Sequence, residues 1–354
     1  MDTKNRITQH SKEKLKVYKE YLKEYLSVML KTGYKSIYVI EPFAGKGISD
    51  DGNEGSAMIA RNVILNFCGD KKYNNITLFL NDKNKNNCTE LYNNLKPVDF
   101  RLRMFTKDAN EFIRNILKNR ETSNHSFMFI DPFGYTQINK DTYNLLFSQN
   151  NIDVLIFIQT YFIYRFLKGE ETDSKYKPIA EFLNDFNINK ENAIKAKNDV
   201  MFAQEIVNSI KKKINSKFVY KRQIKNENNV NSYHLFFITK HVRGAEKFLD
   251  AIWRIEKDNK DLFTTLGVIS DLDTILEKEI KKKGVLNNCE LYELGIELGF
   301  RVPKQQEILR QLEKDKKISI YELTGKKRRQ NSFYIGFDYF NKNNKIIEIK
   351  YIGF

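Results

Sequence analysis

The residues of this sequence that carry the most chemical information are acids that follow short apolar runs. After the run IYVI come Glu41, Phe43, Gly45 and Gly47, within the pattern E-x-F-x-G-x-G. Closely spaced glycines let a chain turn sharply after a strand and bring its backbone near a ligand. The pattern is neither the dinucleotide fingerprint nor a P-loop, and an acid ahead of the glycines favours a cationic ligand. S-adenosylmethionine, which carries a sulfonium and an ammonium, is such a ligand, and an ordinary strand–turn–helix link is the alternative.

Two further acids follow the next two apolar runs. Asp82 comes just after residues 76–80, where a carboxylate at a strand end can accept hydrogen bonds from both ribose hydroxyls of a nucleoside. An exposed acid near a strand end without a ligand is the alternative for this residue. Asp108 follows residues 102–105 and opens a helix, so we expect it to cap that helix and, in a methyltransferase, to contact the adenine amino group.

The most informative run is Asp131-Pro132-Phe133-Gly134-Tyr135, which follows the apolar segment FMFI. The carboxylate of Asp131 and the carbonyl of Pro132 can each accept a hydrogen bond from an exocyclic amine, which leaves the amine lone pair aimed at a methyl group. Phe133 or Tyr135 can stack on a base, an interaction of about 1–3 kcal/mol per base. The base must first leave its stack to reach such a pocket. The alternative is a Pro-Gly turn capped by an acid.

Strands and helices alternate regularly around these residues. Hydrophobic periodicity predicts a first helix over residues 12–30, with Ser11 as its N-cap and Lys14 on its polar side. Near-continuous apolar strands then alternate with helices, which is typical of a parallel sheet covered on both faces. The predicted strands are residues 36–40, 76–80, 102–105, 127–130 and 154–158, and the helices between them are residues 56–67, 86–95, 109–117 and 139–147. With a hairpin over residues 217–222 and 232–239, the predicted fold class is α/β, a class I methyltransferase Rossmann-like sheet of parallel strands plus an antiparallel hairpin.

The 354 residues predict more than one structural unit. We expect an N-terminal helix in residues 1–35, a Rossmann-like methyltransferase domain in residues 36–262, a helical insertion at 168–215 and a winged helix in residues 263–354. The last unit would comprise three helices and a two-stranded ribbon, namely residues 271–283, 288–298, 303–314, 318–323 and 332–337.

The charge of the chain favours a polyanionic partner. The formal net charge is +15, and residues 301–330 contain ten Lys and Arg against four Asp and Glu. A winged helix presents its last helix to a nucleic-acid groove while basic residues beside it contact phosphates. The candidates are Lys304, Arg310, Lys326, Lys327, Arg328 and Arg329. Lysine is abundant throughout the chain, so a winged helix that binds protein and carries a solvated basic turn stays open.

Several function classes receive no support from the sequence. No apolar run approaches the roughly 20 residues of a membrane span, and the polar N-terminus lacks the apolar core of a secretory signal. We therefore expect no membrane partner and a cytoplasmic location. The three cysteines and four histidines are scattered, so we expect reduced thiols and no metal site. No cluster of carboxylates at metal-binding spacing indicates a nuclease.

The chain resembles the three-Cys-motif partner protein family, TcmP. The segments that carry the resemblance are HSKEKLKVYKEYL, YVIEPFAGKG, EGSAMIA, FMFIDPFGY and HLFFITKHVRGAEKF, together with the winged C-terminus. The family usually has Asp at position 41 and Gly-Ser-Pro at positions 55–57. The resemblance implies a methyltransferase fold and a protein partner, a radical-SAM-like protein that carries the three cysteines. The run at 131–134 is also similar to the motif of tRNA guanine-N2 dimethyltransferases, and Phe133 departs from the D-P-P-Y form of adenine-N6 enzymes.

These observations lead to one expectation and one rival. We expect a SAM-dependent N-methyltransferase that acts on an exocyclic purine amino group in RNA or DNA. The rival is a non-catalytic, nucleic-acid-binding subunit with the same fold, which would serve a radical-SAM-like partner in a modification or defence system. A transcription regulator would leave the long α/β part without a role unless that part senses a metabolite.

Overall fold

A computed structural model describes most of the chain. The described residues are 8–68, 75–96, 98, 100–121, 123–169, 174, 176–225, 232–256, 272–325, 327–329 and 331–353. The boundary expected between residues 262 and 263 lies outside them, as does Lys326.

The centre of the molecule is a seven-stranded sheet with the order β3-β2-β1-β4-β5-β7-β6. Its strands are β1 (Ile37–Glu41), β2 (Ile76–Asn81), β3 (Arg101–Phe105), β4 (His125–Ile130), β5 (Ile152–Ile158), β6 (Phe218–Lys225) and β7 (Ser232–Thr239). The first five strands are parallel, and β7 runs antiparallel to both β5 and β6. Every residue of β2, β4 and β5 is buried, because helices cover both faces. The expected α/β, Rossmann-like sheet with an antiparallel hairpin is confirmed.

Two layers of helices cover the sheet. The helices that precede or connect the first five strands are α1 (Gln9–Lys31), α2 (Ser56–Cys68), α3 (Lys85–Leu95), α4 (Ala109–Asn119) and α5 (Lys140–Ser148). Between β5 and β6 lie α6 (Thr160–Arg165), α7 (Lys177–Asp185), α8 (Lys190–Lys195) and α9 (Asp199–Ile214), and α10 (Val242–Glu256) follows β7. The apolar residues of α1, α2 and α10 form one core with one face of the sheet, and those of α4, α5 and α6–α9 form another with the opposite face.

Helix α1 presents three tyrosines to the sheet, and their hydroxyl groups reach buried acceptors. Tyr18 donates to Glu41 Oε1 at 2.5 Å, Tyr21 to Asp153 Oδ2 at 2.7 Å, and Tyr25 to the carbonyl of His125 at 3.0 Å. Positions three and four apart share one face of a helix, so these side chains point the same way.

Two details of α1 differ from the sequence prediction. The N-cap position is Thr8 and not Ser11, so the helix begins earlier than expected. Lys14 does not lie on the polar side, because it stands four residues before Tyr18 and shares the buried face with it. Only 7% of this lysine is exposed.

The C-terminal part combines helices with a small antiparallel sheet of order β8-β10-β9. Its elements are α11 (Leu272–Lys283), β8 (Val285–Asn287), α12 (Asn288–Glu297), α13 (Val302–Lys314), β9 (Ile318–Glu322), α14 (Phe337–Asn341) and β10 (Ile347–Tyr351). It packs on the larger sheet unit: Tyr220 donates to the carbonyl of Ile296 at 2.6 Å, and Arg301 pairs with Asp250 at 2.8 Å.

The strand expected at residues 332–337 is wrong. The partner of β9 is β10, which lies beyond residue 345. Asn331 and Tyr334 have φ of 59° and 51°, and this left-handed conformation interrupts an extended chain. Phe333 and Ile335 are buried, which explains why the sequence alternates like a strand without forming one. No helix among the described residues is long and apolar enough to cross a membrane.

Candidate functional site

The candidate site is a cleft of about 1000 Å³, open to solvent, at the carboxyl ends of β1 and β4. Strand order reverses between these neighbours, since β1 continues to β2 on one side and β4 continues to β5 on the other. Open α/β sheets bind ligands at this switch point. Phe43, Gly45, Gly47, Asp131 and Phe133 line the cleft together with Pro132. The structure therefore brings together two motifs that lie more than 80 residues apart in the sequence.

The glycine-rich loop after β1 has a backbone that other residues would strain. Gly45 and Gly47 have φ of 64° and 86°, which favours glycine. A Cβ atom on Gly47 would lie 2.7 Å from Leu91 Cδ1. The Gly55 amide donates to the carbonyl of Gly47 at 2.6 Å, which closes residues 48–54 into a short hairpin and anchors the loop to the start of α2. The loop is therefore held in shape by the protein itself.

Asp82 takes part in holding this loop. Its Oδ2 accepts a hydrogen bond from the Gly45 amide at 3.0 Å, and its Oδ1 accepts from the amide of Asn84 and the side chain of Asn87. A carboxylate offers about four acceptor positions, and three are used here. Asp82 lies 7% exposed behind the loop and does not line the cleft itself, so ribose binding by this residue stays a prediction.

Glu41 is buried beneath the loop with both oxygens engaged. Its Oε1 accepts from Tyr18 and its Oε2 from Ser56, each at 2.5 Å. Burial and, to a smaller extent, the nearby charge of Asp131 raise the pKa of this carboxyl to about 7, against the lowering effect of the two hydrogen bonds. Near neutral pH the site can thus gain or lose a proton at Glu41.

Asp108 caps α4 as expected, because its Oδ1 accepts hydrogen bonds from the amides of Asn110 and Glu111. The position of this cap depends on Asn81, a residue that no sequence motif indicates. The buried amide of Asn81 donates to the carbonyls of Pro42 and Lys107 and accepts from the Lys107 amide at 3.0 Å. Asn81 thus joins the loop after β1 to the loop before α4, which fixes where Asp108 stands relative to the cleft.

The decisive contact of the site is between Lys14 and Asp131. Lys14 Nζ lies 2.5 Å from Asp131 Oδ2 and 4.5 Å from the centre of the Phe157 ring. The side chain of the lysine is 9% exposed and that of the aspartate 24%. The buried ammonium of Lys14 fixes the orientation of the partly exposed carboxylate, because a hydrogen bond between a charged donor and a charged acceptor is strong. In the sequence, the four-residue spacing between Lys14 and Tyr18 is the pattern that indicates a shared helix face for these two side chains.

The two aromatic residues of the 131–135 run have different surroundings. Phe133 is 75% exposed at the mouth of the cleft, and its backbone is held by the side chains of Gln137 and Gln159 at 3.0 and 3.3 Å. The ring of Tyr135 instead packs edge-on against Phe182 of α7, with centroids 6.0 Å apart. Only Phe133 of this pair is placed to stack on a ligand at the cleft.

The basic residues expected to bind nucleic acid divide into two groups. Lys327, Arg329 and Arg310 are exposed. Arg328 is not free for a phosphate, because its guanidinium pairs with Glu313 of α13 and lies 5.5 Å from the ring of Phe333. Lys304 pairs with Glu307 at 2.8 Å.

Comparisons with known proteins give similarity in structure. No family model and no curated protein matches the sequence. Protein LPL1258 from Legionella pneumophila, described with the family model DUF519, shares 12% identity at a TM-score of 0.41 over 68% of this chain and 90% of its own. A SAM-dependent methyltransferase from Agrobacterium tumefaciens shares 10% identity at a TM-score of 0.33 over 62% of this chain and 61% of its own.

Proposed function

We propose that this chain is a SAM-dependent methyltransferase that acts on an exocyclic amino group of a purine in nucleic acid. The observation that supports the proposal most is that Asp131, Pro132 and an exposed Phe133 share one cleft with the glycine loop, whose backbone conformation favours glycine. The cofactor and the amine would then meet between Gly47 and Asp131. A nucleic-acid substrate is present in the cytoplasm, where we expect the protein to act.

The residues of the cleft fit S-adenosylmethionine. Gly45 and Gly47 line the cleft, and no atom lies within 4 Å of the position that a Cβ atom on Gly45 would take, so a ligand can approach the backbone there. Asp131 lines the cleft, whereas Glu41 is buried beneath the glycine loop, so the carboxylate that can face a cofactor with two positive groups is that of Asp131. When bound, the cofactor supplies an electrophilic methyl group.

The chain's own residues would position the acceptor nitrogen. With Asp131 Oδ2 bonded to Lys14, the remaining acceptors are Asp131 Oδ1 and the Pro132 carbonyl, one for each proton of an amino group. Lys14 is a cation beside this position and disfavours a protonated aliphatic amine. A nucleobase amine is uncharged, so the pair favours it. Positioning and desolvation then provide most of the rate, since an amine lone pair needs little help from a base.

We propose that the C-terminal part is a winged helix that holds the nucleic-acid backbone. The order of helices and strands from α11 to β10 is that of such a unit, and exposed Lys327, Arg329 and Arg310 support contact with phosphates. Its protein partner would be a three-Cys-motif, radical-SAM-like protein, on the strength of the TcmP resemblance.

The rival function is a non-catalytic subunit with the same fold. The observation in its favour is that Glu41 and Asp131 already have protein partners and that three of the acceptor positions of Asp82 are taken. Hydrogen bonds of this kind stabilise the site in the absence of a ligand. They disfavour catalysis only if an amine cannot bind Asp131 while Asp131 is paired with Lys14.

Calorimetric titration with S-adenosylmethionine and S-adenosylhomocysteine separates the two functions. We expect saturable binding of both, and we expect Gly47→Arg to lose it, because a side chain at position 47 enters the loop's packing. Asp131→Ala should retain cofactor binding and lose methyl transfer to a mixed pool of RNA and single-stranded DNA. No cofactor binding by the wild-type chain, alone or with nucleic acid, would favour the non-catalytic subunit.

A further inference from the structure

A second cavity lies at the opposite edge of the sheet from the cleft, near the amino ends of β4 and β5. It opens to solvent and, counted out into its mouth, comprises about 500 Å³ between α1, α10 and Phe337 of the C-terminal part. Three tyrosines, two histidines and the buried Asp153 line it: Tyr21, Tyr25, Tyr34, His125 and His241. Neither the proposed methyl transfer nor the binding of nucleic acid uses these residues.

Two buried polar atoms of this cavity have no hydrogen-bond partner among the described residues. They are Asp153 Oδ1 and His125 Nδ1, and the two side chains belong to residues only 2% and 3% exposed. Asp153 Oδ2, by contrast, accepts from Tyr21 at 2.7 Å. Buried polar groups in proteins are nearly always hydrogen-bonded, so an unused carboxylate oxygen beside a cavity indicates a donor from outside the chain.

The first turn of α10 is shaped around this carboxylate. Gly244 belongs to that turn, and a Cβ atom on it would lie 3.0 Å from Asp153 Oδ1. A larger residue would therefore crowd the oxygen that is unused.

The charges around the cavity favour a cation as the ligand. The two basic residues of the lining already have acidic partners: Arg243 pairs with Glu246 at 2.7 Å, and Lys247 pairs with Asp250 at 2.9 Å and Glu24 at 3.2 Å. Burial lowers the pKa of His125, so its imidazole is neutral near pH 7. Oδ1 of Asp153 is thus an acidic oxygen of the lining that no described group engages.

We propose that this cavity binds a small organic amine, whose protonated nitrogen donates a hydrogen bond to Asp153 Oδ1 and whose apolar body lies among the tyrosine rings. A hydrogen bond between ammonium and carboxylate is stronger than a neutral one. Tyrosine rings attract cations as well as apolar groups. His125 Nδ1 supplies a second polar contact for a ligand that carries a further polar group.

The test uses benzylamine as the probe and benzyl alcohol as its neutral counterpart of the same shape. Ligand-observed NMR titration of the full chain should show saturable benzylamine binding with a dissociation constant in the millimolar range or below. Benzyl alcohol, and benzylamine with Asp153→Asn, should each bind at least about tenfold more weakly, because the charge-assisted hydrogen bond is lost.

Asp131→Asn serves as the matched control, because the cleft contains an aspartate of its own. Benzylamine binding that survives Asp131→Asn and weakens in Asp153→Asn places the amine in the second cavity. Equal binding by Asp153→Asn and wild type overturns the proposal, and so does the lack of any saturable binding by the wild type.

A second variant covers the case in which Asp153→Asn does not fold, as judged by circular dichroism. Val28 is a partly buried residue of α1 on the cavity wall, and Val28→Trp fills space while it leaves Asp153 in place. A folded Val28→Trp protein should lose benzylamine binding, and unchanged binding by this variant contradicts the assignment.

Discussion

Lys14 and Asp131 are separated by 117 positions in the chain and form a hydrogen bond of 2.5 Å at the mouth of the glycine-lined cleft. The lysine comes from α1, which precedes the first strand, and the aspartate comes from the tip of β4. The helix therefore completes the cleft in addition to covering the sheet. In the proposed reaction, Lys14 is a positioning residue that turns one oxygen of Asp131 away from the amine and leaves the other for it.

Replacement of Lys14 tests this role. Lys14→Met keeps the apolar stem and removes the ammonium, so the fold should persist while Asp131 loses its fixed orientation. We expect methyl transfer to fall by about 100-fold, the effect that a small misplacement of a reacting group can have. Affinity for S-adenosylmethionine, measured by calorimetry, should change little.

The matched control for this variant is Lys16→Met, which removes a lysine from an exposed position of the same helix. It should retain the wild-type rate. If both variants lose activity equally, or if Lys14→Met retains the wild-type rate, then the pair with Asp131 has no part in positioning the substrate.

The sheet could be predicted from the sequence because each strand is a continuous apolar run next to a turn. Residues 36–40, for example, form such an apolar run, and β1 spans Ile37–Glu41. The strand predicted at residues 332–337 is absent. Phe333 and Ile335 are buried and give the alternating pattern of a strand, but Tyr334 between them has a left-handed backbone. Patterns of burial therefore predict which residues face a core more reliably than they predict strand pairing.

The site could be predicted only where its residues follow strands. The carboxyl ends of parallel strands share one edge of a sheet, so Gly45, Gly47 and Asp131 were expected to meet. The sequence predicts Lys14 on the polar side of its helix, whereas the structure buries it against its partner Asp131. That partner is distant in the sequence, and no local pattern shows it.

The pH dependence of stability should report on Glu41. Burial raises the pKa of this carboxyl from 4.5 to about 7, so the folded state binds more protons than the unfolded state between these values. Stability from this group is therefore fully present below about pH 4.5 and is lost as pH rises towards 7. The expected loss is about 3 kcal/mol, and it levels off above that range.

Urea unfolding of wild type and Glu41→Gln at pH 5 and pH 8 measures this effect. Glutamine cannot titrate, so wild type should lose stability relative to Glu41→Gln as the pH rises. The difference between the two proteins isolates Glu41 from every other titrating group. A difference that is the same at both pH values would mean that the folded and unfolded pKa values of Glu41 are alike.

The glycine loop should tolerate alanine less well at Gly47 than at Gly45. Both positions have positive φ, which costs alanine about 1–2 kcal/mol. Only at Gly47 would the new methyl group also meet Leu91, whereas nothing lies within 4 Å of a Cβ atom on Gly45. We expect Gly47→Ala to lower the free energy of unfolding by about 1–3 kcal/mol more than Gly45→Ala does.

A double-mutant cycle identifies the cause of this difference. In a Leu91→Ala background the clash is absent, so Gly47→Ala should cost at least about 1 kcal/mol less than in wild type. Additive effects of the two substitutions would show that the loop moves away from Leu91, and the difference between the glycines would then need another explanation.

The basic segment that contains Lys327, Arg328 and Arg329 should bind nucleic acid through the exposed side chains of Lys327 and Arg329 and not through Arg328. Lys327 and Arg329 are exposed, whereas Arg328 is paired with Glu313 and stacked on Phe333. Replacement of Lys327 and Arg329 by alanine should reduce the slope of log affinity against log salt by about 2 for duplex DNA, since each lost phosphate contact contributes roughly 0.9.

Arg328→Ala separates a structural role from a binding role. It removes a charge-assisted hydrogen bond between the loop and α13, so we expect a loss of about 1–3 kcal/mol in the free energy of unfolding. The salt slope should stay close to that of wild type, because this guanidinium does not reach a phosphate. A slope reduced as much as in the Lys327 and Arg329 variant, with stability unchanged, would show that Arg328 leaves Glu313 when nucleic acid binds.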